Sequence, residues 1–136
     1  SSALAGPQAI GIPVTFRGLS SSLLVMTAQP ESARRTVLES VRPGVGTLVV
    51  LMGLSVRAVL AEELLARGFP GSTPVAVILG AHTLSEWSWI GSLATVKTLL
   101  LPPDRSELPG LIVVGDVVSL ARTAPEQFEE VLHGHG

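Results

Sequence analysis

Thr47 to Leu54, TLVVLMGL, is the stretch whose reading decides the fold. It is a continuous apolar run rich in β-branched residues, the pattern of a strand buried on both faces. The strand is expected over Thr47–Met52, and Gly53 then breaks it. Ser55 is placed to cap a helix, with Val56, Val59, Leu60 and Leu64 as its core stripe and Glu63–Arg67 as an i,i+4 ion pair. Gly68 supplies the C-terminal cap, and Pro74 to Leu79 is the next buried strand. Together these make a β-α-β unit.

The flanking sequence extends the same pattern. Ser1 to Ile10 is rich in small residues and could form a short helix, after which a Gly-Pro elbow opens an extended segment from Pro13 to Arg17. Leu23 to Ala28 reads as a strand. Pro30 fits the first turn of a helix with Ala33, Val37 and Val41 on one face, Glu31 and Arg35 paired on another, and Pro43-Gly44 as its end. Glu86 to Leu93, with Trp87, Trp89 and Ile90, reads as a strand antiparallel to its neighbours. Leu101 to Gly110 contains three prolines and reads as a loop. Leu111 to Gly115 is another buried strand, and Thr123 with Glu126 forms a capping box for a last helix carrying Phe128, Val131 and Leu132. The sum is an α/β domain with a mixed, mostly parallel sheet of five or six strands flanked by helices, spanning residues 13–122, with a C-terminal helix and tail at 123–136.

Composition narrows the function classes. The 136 residues are 46% hydrophobic and 15% charged, with a net charge of −2 and no cysteine, and the mean hydropathy is +0.51. That much apolar character with so little charge suggests strands covered on both faces and a further buried partner face, so a homodimer is expected. No apolar run is long enough to span a bilayer, and no signal peptide is evident, so membrane association is not expected. The basic residues do not cluster beyond Arg34-Arg35, which argues against nucleic acid. Thiolate metal sites are excluded. His133 and His135 lack a third ligand, so no metal is expected.

Three strand ends are candidate ligand contacts, because open α/β sheets bind ligands where strands end. Met52-Gly53-Leu54 lies between a strand and a helix N-terminus, where main-chain amides can meet a ligand and a glycine allows close approach. A tight corner explains Gly53 equally well. Gly80-Ala81-His82 ends the next strand and should lie beside Met52, and His82 there is a proton carrier, a substrate contact or, as the more frequent explanation, a surface histidine. Val114-Gly115-Asp116 repeats the strand-glycine ending, with Asp116 placed to contact a ligand or, as the more frequent role, to cap the next helix. Arg17, at the end of Thr15-Phe16-Arg17-Gly18, suits bidentate recognition of a carboxylate, and a structural pair with a nearby acid explains it equally well. Gly44-Val45-Gly46 precedes its strand and is no phosphate loop. No Ser-His-Asp set or nucleophile elbow is recognisable.

Four segments in order resemble the C-terminal domain of the tetrapyrrole methylases, specifically uroporphyrinogen-III C-methyltransferase. SSALAGPQAIGIPVTFRG is similar to the stretch that links the two domains of that family and begins the second, so residues 1–12 would be an interdomain remnant. LVVLMGL resembles its strand ending in Tyr-Met-Gly, ARGFPGSTPVAVI its Gly-x-Pro-x-x-x-Pro-Val-Ala segment, and LPGLIVVGDVVSL its closing strand. The resemblance implies transfer of methyl groups from S-adenosyl-L-methionine to a tetrapyrrole, giving precorrin-2 for siroheme and cobalamin, in a cytoplasmic dimer. It implies cofactor contacts at Ser1, Ser2, Met52, Gly53 and Ala81, and substrate contacts at Arg17 and Met52. The family's N-terminal domain, with its glycine-rich turn and acid-base groups, has no counterpart here. No catalytic residue is therefore assigned, and the chain alone is expected to be inactive and to bind cofactor weakly. Phe16 stands for the family's histidine, Ala28-Gln29 for Gly-His, Leu51 for Tyr, and Ala81-His82 for Gly-Thr. These departures keep two alternatives: a non-catalytic dimerisation or scaffold module, and a methylase for another tetrapyrrole.

Overall fold

The apolar run forms the strand its composition demands. In the computed structural model, which describes residues 22–44 and 46–119, strand β2 is Thr47–Leu51 and every residue but the last is buried. The other elements follow in chain order: β1 Leu23–Thr27, α1 Glu31–Leu38, then β2, a 3₁₀ turn Leu54–Val56, and α2 Arg57–Ala66. After these come β3 Pro74–Leu79, β4 Trp87–Ser92, the single turn α3 Leu93–Val96, β5 Gly110–Val114, and a 3₁₀ turn Asp116–Val118. The expected segments over residues 1–18 and 123–136 lie outside the described residues.

The strands form one five-stranded sheet in the order β1-β2-β5-β3-β4. The sheet is mixed, as expected, but its parallel character needs correcting. β1, β2 and β3 share one direction, yet only the β1–β2 ladder is parallel; β2–β5, β3–β5 and β3–β4 are antiparallel. β5 inserts between the two strands of the β-α-β unit, so Ile112 pairs with Val50 on one side and Val77 on the other. These three residues are 0–2% exposed and mark the centre of the sheet. Alternation then sorts the two faces. Leu48, Val50, Val75, Val77 and Ile112 pack with Leu38, Leu60, Leu64 and Val96 of the helices, whereas Val49, Ala76, Ile78 and Val113 pack with Val117 and Val118.

The helices depart from the sequence reading in instructive ways. On α2, Leu60, Ala61 and Leu64 are buried, but Val59 is 49% exposed. Ser55 does not cap this helix, because the chain first makes a 3₁₀ turn that moves the helix start to Arg57, preceded by Val56 with no side-chain cap. Glu63 does not pair with Arg67. It pairs with Arg34 of α1 at 2.6 Å, which draws an arginine onto the buried face expected to carry only Ala33, Val37 and Val41. The surface pair Glu31–Arg35 forms as expected, at 3.4 Å. Gly68 closes α2 with φ +95°, and the Phe69 and Gly68 amides donate to the Leu64 and Leu65 carbonyls, the bonding of a Schellman cap. The one-turn helix α3 carried no clear sequence signal; a Ser92–Thr95 capping box nucleates it.

Candidate functional site

A cleft of about 1070 Å³ opens at the carboxyl ends of β1, β2 and β3. Co-directional strands must end on the same edge of a sheet, and here Gln29 follows β1, Met52 follows β2, and Gly80-Ala81-His82 follows β3. The fourth wall is the proline-rich segment Leu101–Gly110 leading into β5, whose antiparallel direction brings its start to this edge. A long loop with no strand or helix of its own is where binding residues concentrate. Its prolines signalled the loop, but only the sheet order shows that it forms a cleft wall.

Four hydrogen bonds brace the cleft. Gln29 Nε2 donates to Ser55 Oγ at 2.9 Å, joining the loops after β1 and β2. The Gly80 amide donates to the Pro109 carbonyl at 2.8 Å. Arg57 Nη2 donates to the Leu99 carbonyl at 2.7 Å while Nη1 donates to the Leu54 carbonyl at 2.6 Å.

Two residues on the rim hold backbone conformations that side chains disfavour. Met52 has φ +57° and His82 φ +64°, and they are the two non-glycine residues with positive φ among the described residues. Strain of this kind clusters at functional sites. Met52 is 64% exposed, so its thioether stands out over the cleft. The His82 amide donates to Glu86 Oε1 at 2.7 Å, and Thr83 Oγ1 donates to the Gly80 carbonyl at 2.6 Å, which fixes the β3–β4 turn.

The predicted site residues divide accordingly. Met52 and Ala81 line the same cleft, as expected, though β5 runs between their strands. Gly53 does not line it. Gly53 is buried with φ −104°, and a Cβ there would meet Val50 Cγ1 at 3.0 Å and Ile112 Cδ1 at 3.2 Å. Its small size serves packing against the core. Val114-Gly115-Asp116 does not belong to this site either. β5 runs antiparallel, so its end lies on the opposite edge, where the Gly115 amide donates to the Pro74 carbonyl. Asp116 does not cap the turn that follows; Gly115 holds that position. Ser1, Ser2 and Arg17 lie outside the described residues. The sequence marks Gln29 only as part of the Ala28-Gln29 departure and does not single out Arg57, since one arginine at a helix start reads as solvated surface.

Among the described residues no group of His, Asp or Glu side chains is arranged to hold a metal, and no helix is long and apolar enough to cross a membrane.

No family model matches the chain. Curated relatives do. An S-adenosyl-L-methionine-dependent uroporphyrinogen III methyltransferase of Methanosarcina barkeri is 34% identical over 130 residues, 93% of this chain and 51% of the relative. Siroheme synthase 2 of Serratia proteamaculans is 34% identical over 81% of this chain and 23% of its own length. Among solved structures, a uroporphyrin-III C-methyltransferase of Thermus thermophilus complexed with S-adenosylhomocysteine superposes with a TM-score of 0.71 at 31% identity, over 88% of this chain and 49% of that one. A cobalt-precorrin-4 methyltransferase superposes with the same score at 14% identity and shows the shared fold alone. The chain thus spans about half the length of its methyltransferase relatives.

Proposed function

We propose that this chain, whose homologues are uroporphyrinogen-III C-methyltransferases and siroheme synthases, is the C-terminal half of an S-adenosyl-L-methionine-dependent uroporphyrinogen-III C-methyltransferase. The observation that carries the reading is the cleft: two turns 29 residues apart in sequence, at Met52 and Ala81, line one groove. Its residues suit a nucleoside. The walls are mostly apolar, with room for a purine and a sugar, and a few main-chain and side-chain polar groups converge on them.

In this reading Met52 and Ala81 lie against the cofactor, with Ser1 and Ser2 adding contacts from the segment between the two domains. Met52 and Arg17 face the tetrapyrrole. When bound, S-adenosylmethionine supplies an electrophilic methyl group on sulfonium sulfur. The apolar walls exclude water, and the strained Met52 backbone presents a fixed apolar contact. Methyl transfer needs donor and acceptor held in line, which one wall of a groove does not achieve. The chain alone is therefore inactive, and the N-terminal half supplies the opposite wall and the acid-base groups. The assembled enzyme works in the cytoplasm as a homodimer and makes precorrin-2.

The chain has two methionines, Met26 at 3% exposure and Met52 at 64%, which makes a clean test. Titrating ¹³C-methyl-methionine-labelled protein with S-adenosylhomocysteine should move the Met52 signal and leave Met26 in place. Saturation without a Met52 shift would remove the site from this cleft. Light scattering that gives a monomer at high concentration would remove the dimer.

A further inference from the structure

We propose that Arg57 is the anion seat of the cleft, its guanidinium receiving a carboxylate of the bound ligand. The inference rests on the reading above and deepens it by naming the polar group that orients the ligand.

Arg57 lines the cleft and is partly buried. Its two terminal nitrogens are each anchored on a main-chain carbonyl, Leu54 through Nη1 and Leu99 through Nη2. Its Nε is buried without a hydrogen-bond partner. Among the described residues no carboxylate lies within ion-pair distance of it, although Glu107 lines the same cleft. The ion pairs among the described residues are Arg34–Glu63, Arg35–Glu31 and Lys97–Glu62, and none involves Arg57. A partly buried guanidinium without an anion is costly, so its retention in a cleft points to a partner that arrives with the ligand.

Its place in the helix adds a second argument. Arg57 is the first residue of α2, at the positive end of the helix dipole, where a cation is disfavoured and an anion favoured. The first turn of α2 contains no acidic residue, and no side chain caps it. Guanidinium and helix end therefore add to one positive locus at the cleft, with no directly paired acid among the described residues. The two carbonyl anchors hold the guanidinium plane still, and each Nη carries a second N–H. That arrangement suits a carboxylate, which an arginine fork binds with directed, charge-assisted bonds.

Two ligands of the proposed reaction carry carboxylates: the amino-acid tail of the nucleoside cofactor and the acidic side chains of the tetrapyrrole. The test uses the 136-residue chain and its Arg57→Met and Arg57→Lys variants, with NMR titrations that read millimolar affinities. The probes are S-adenosylhomocysteine, 5′-methylthioadenosine (the same nucleoside without the amino-acid end) and uroporphyrin III. Arg57→Met should weaken one carboxylate probe by roughly tenfold. It should leave 5′-methylthioadenosine within about twofold of wild type, which excludes a collapsed cleft, while Arg57→Lys recovers part of the loss. Loss on S-adenosylhomocysteine assigns the cofactor carboxylate, and loss on uroporphyrin III assigns the tetrapyrrole. Equal weakening of all three probes, or no weakening of either carboxylate probe, overturns the proposal while the cleft still binds. Wild-type protein that binds none of the three overturns the methylase reading of the cleft and this proposal with it.

Discussion

Arg34 and Glu63, on helices 29 residues apart in sequence, form an ion pair with Nε 2.6 Å from Oε1, beneath the loop that carries Gln29. The Arg34 side chain is 5% exposed and that of Glu63 25%. Arg34 Nη1 also donates to the Ala28 carbonyl at 2.9 Å, so one buried guanidinium fastens α1, α2 and the end of β1. Glu63→Gln leaves a buried cation without its anion and should cost about 2 kcal/mol, less than a fully buried pair because water reaches Glu63. Arg34→Met replaces the cation with an apolar chain and leaves Glu63 able to hydrate, so it should cost less, about 1 kcal/mol. Urea unfolding midpoints test the order; a more damaging Arg34→Met would show that packing rather than charge dominates.

Gly91 of edge strand β4 carries the indole ring of Trp89. A Cβ at position 91 would collide with Trp89 Cζ2 and Cη2 and approach Thr95 Oγ1 at 2.7 Å. Gly91→Ala should displace the ring, shift the tryptophan emission and lower stability by about 1–3 kcal/mol. Unchanged emission would mean that the ring does not rest there.

On the proposed reading, Met52 trades stability for binding. Its left-handed backbone disfavours a side chain. Met52→Gly should raise stability by about 0.5 kcal/mol, the relief of that strain less the added freedom of the unfolded chain. The same change should weaken S-adenosylhomocysteine binding. Thermal melts and the titration described above check the two halves, and a destabilised variant would show that the Met52 side chain supports the fold.

Val59 and Leu60 adjoin on α2 but point to different environments, 49% and 2% exposed. Val59→Lys should change stability by no more than about 0.5 kcal/mol, and Leu60→Ala should cost about 3 kcal/mol. Denaturant titrations decide; a large loss for Val59→Lys would restore the core position the sequence suggested.

Local chemistry made the strands legible. TLVVL, PVAVIL and LIVV are apolar without interruption because each is covered on both faces, and that requirement acts residue by residue. The Gly68 cap and the Glu31–Arg35 pair were equally readable, since both depend on neighbours within one or two turns. Met52 and Ala81 were visible as strand ends. The misreadings share another cause. Ser55, Glu63 and Val59 were assigned from ideal helical spacing, but the 3₁₀ turn at Leu54–Val56 delays the helix, and Arg34 reaches in from another element to take Glu63.

What the amino-acid sequence determined by itself is which segments become strands and which turns close them, because those choices answer to burial and backbone preference along the chain. The antiparallel course of β4 was already legible, but only the tertiary structure decided strand order and the direction of β5. Placing β5 antiparallel between β2 and β3 sends Gly115 to the far edge, brings the 101–110 segment to the near one, and sets Arg57 against the cleft. Pairing between distant strands depends on contacts across the whole sheet, and a buried apolar strand carries no alternation of faces to reveal which neighbour it will meet or in which direction.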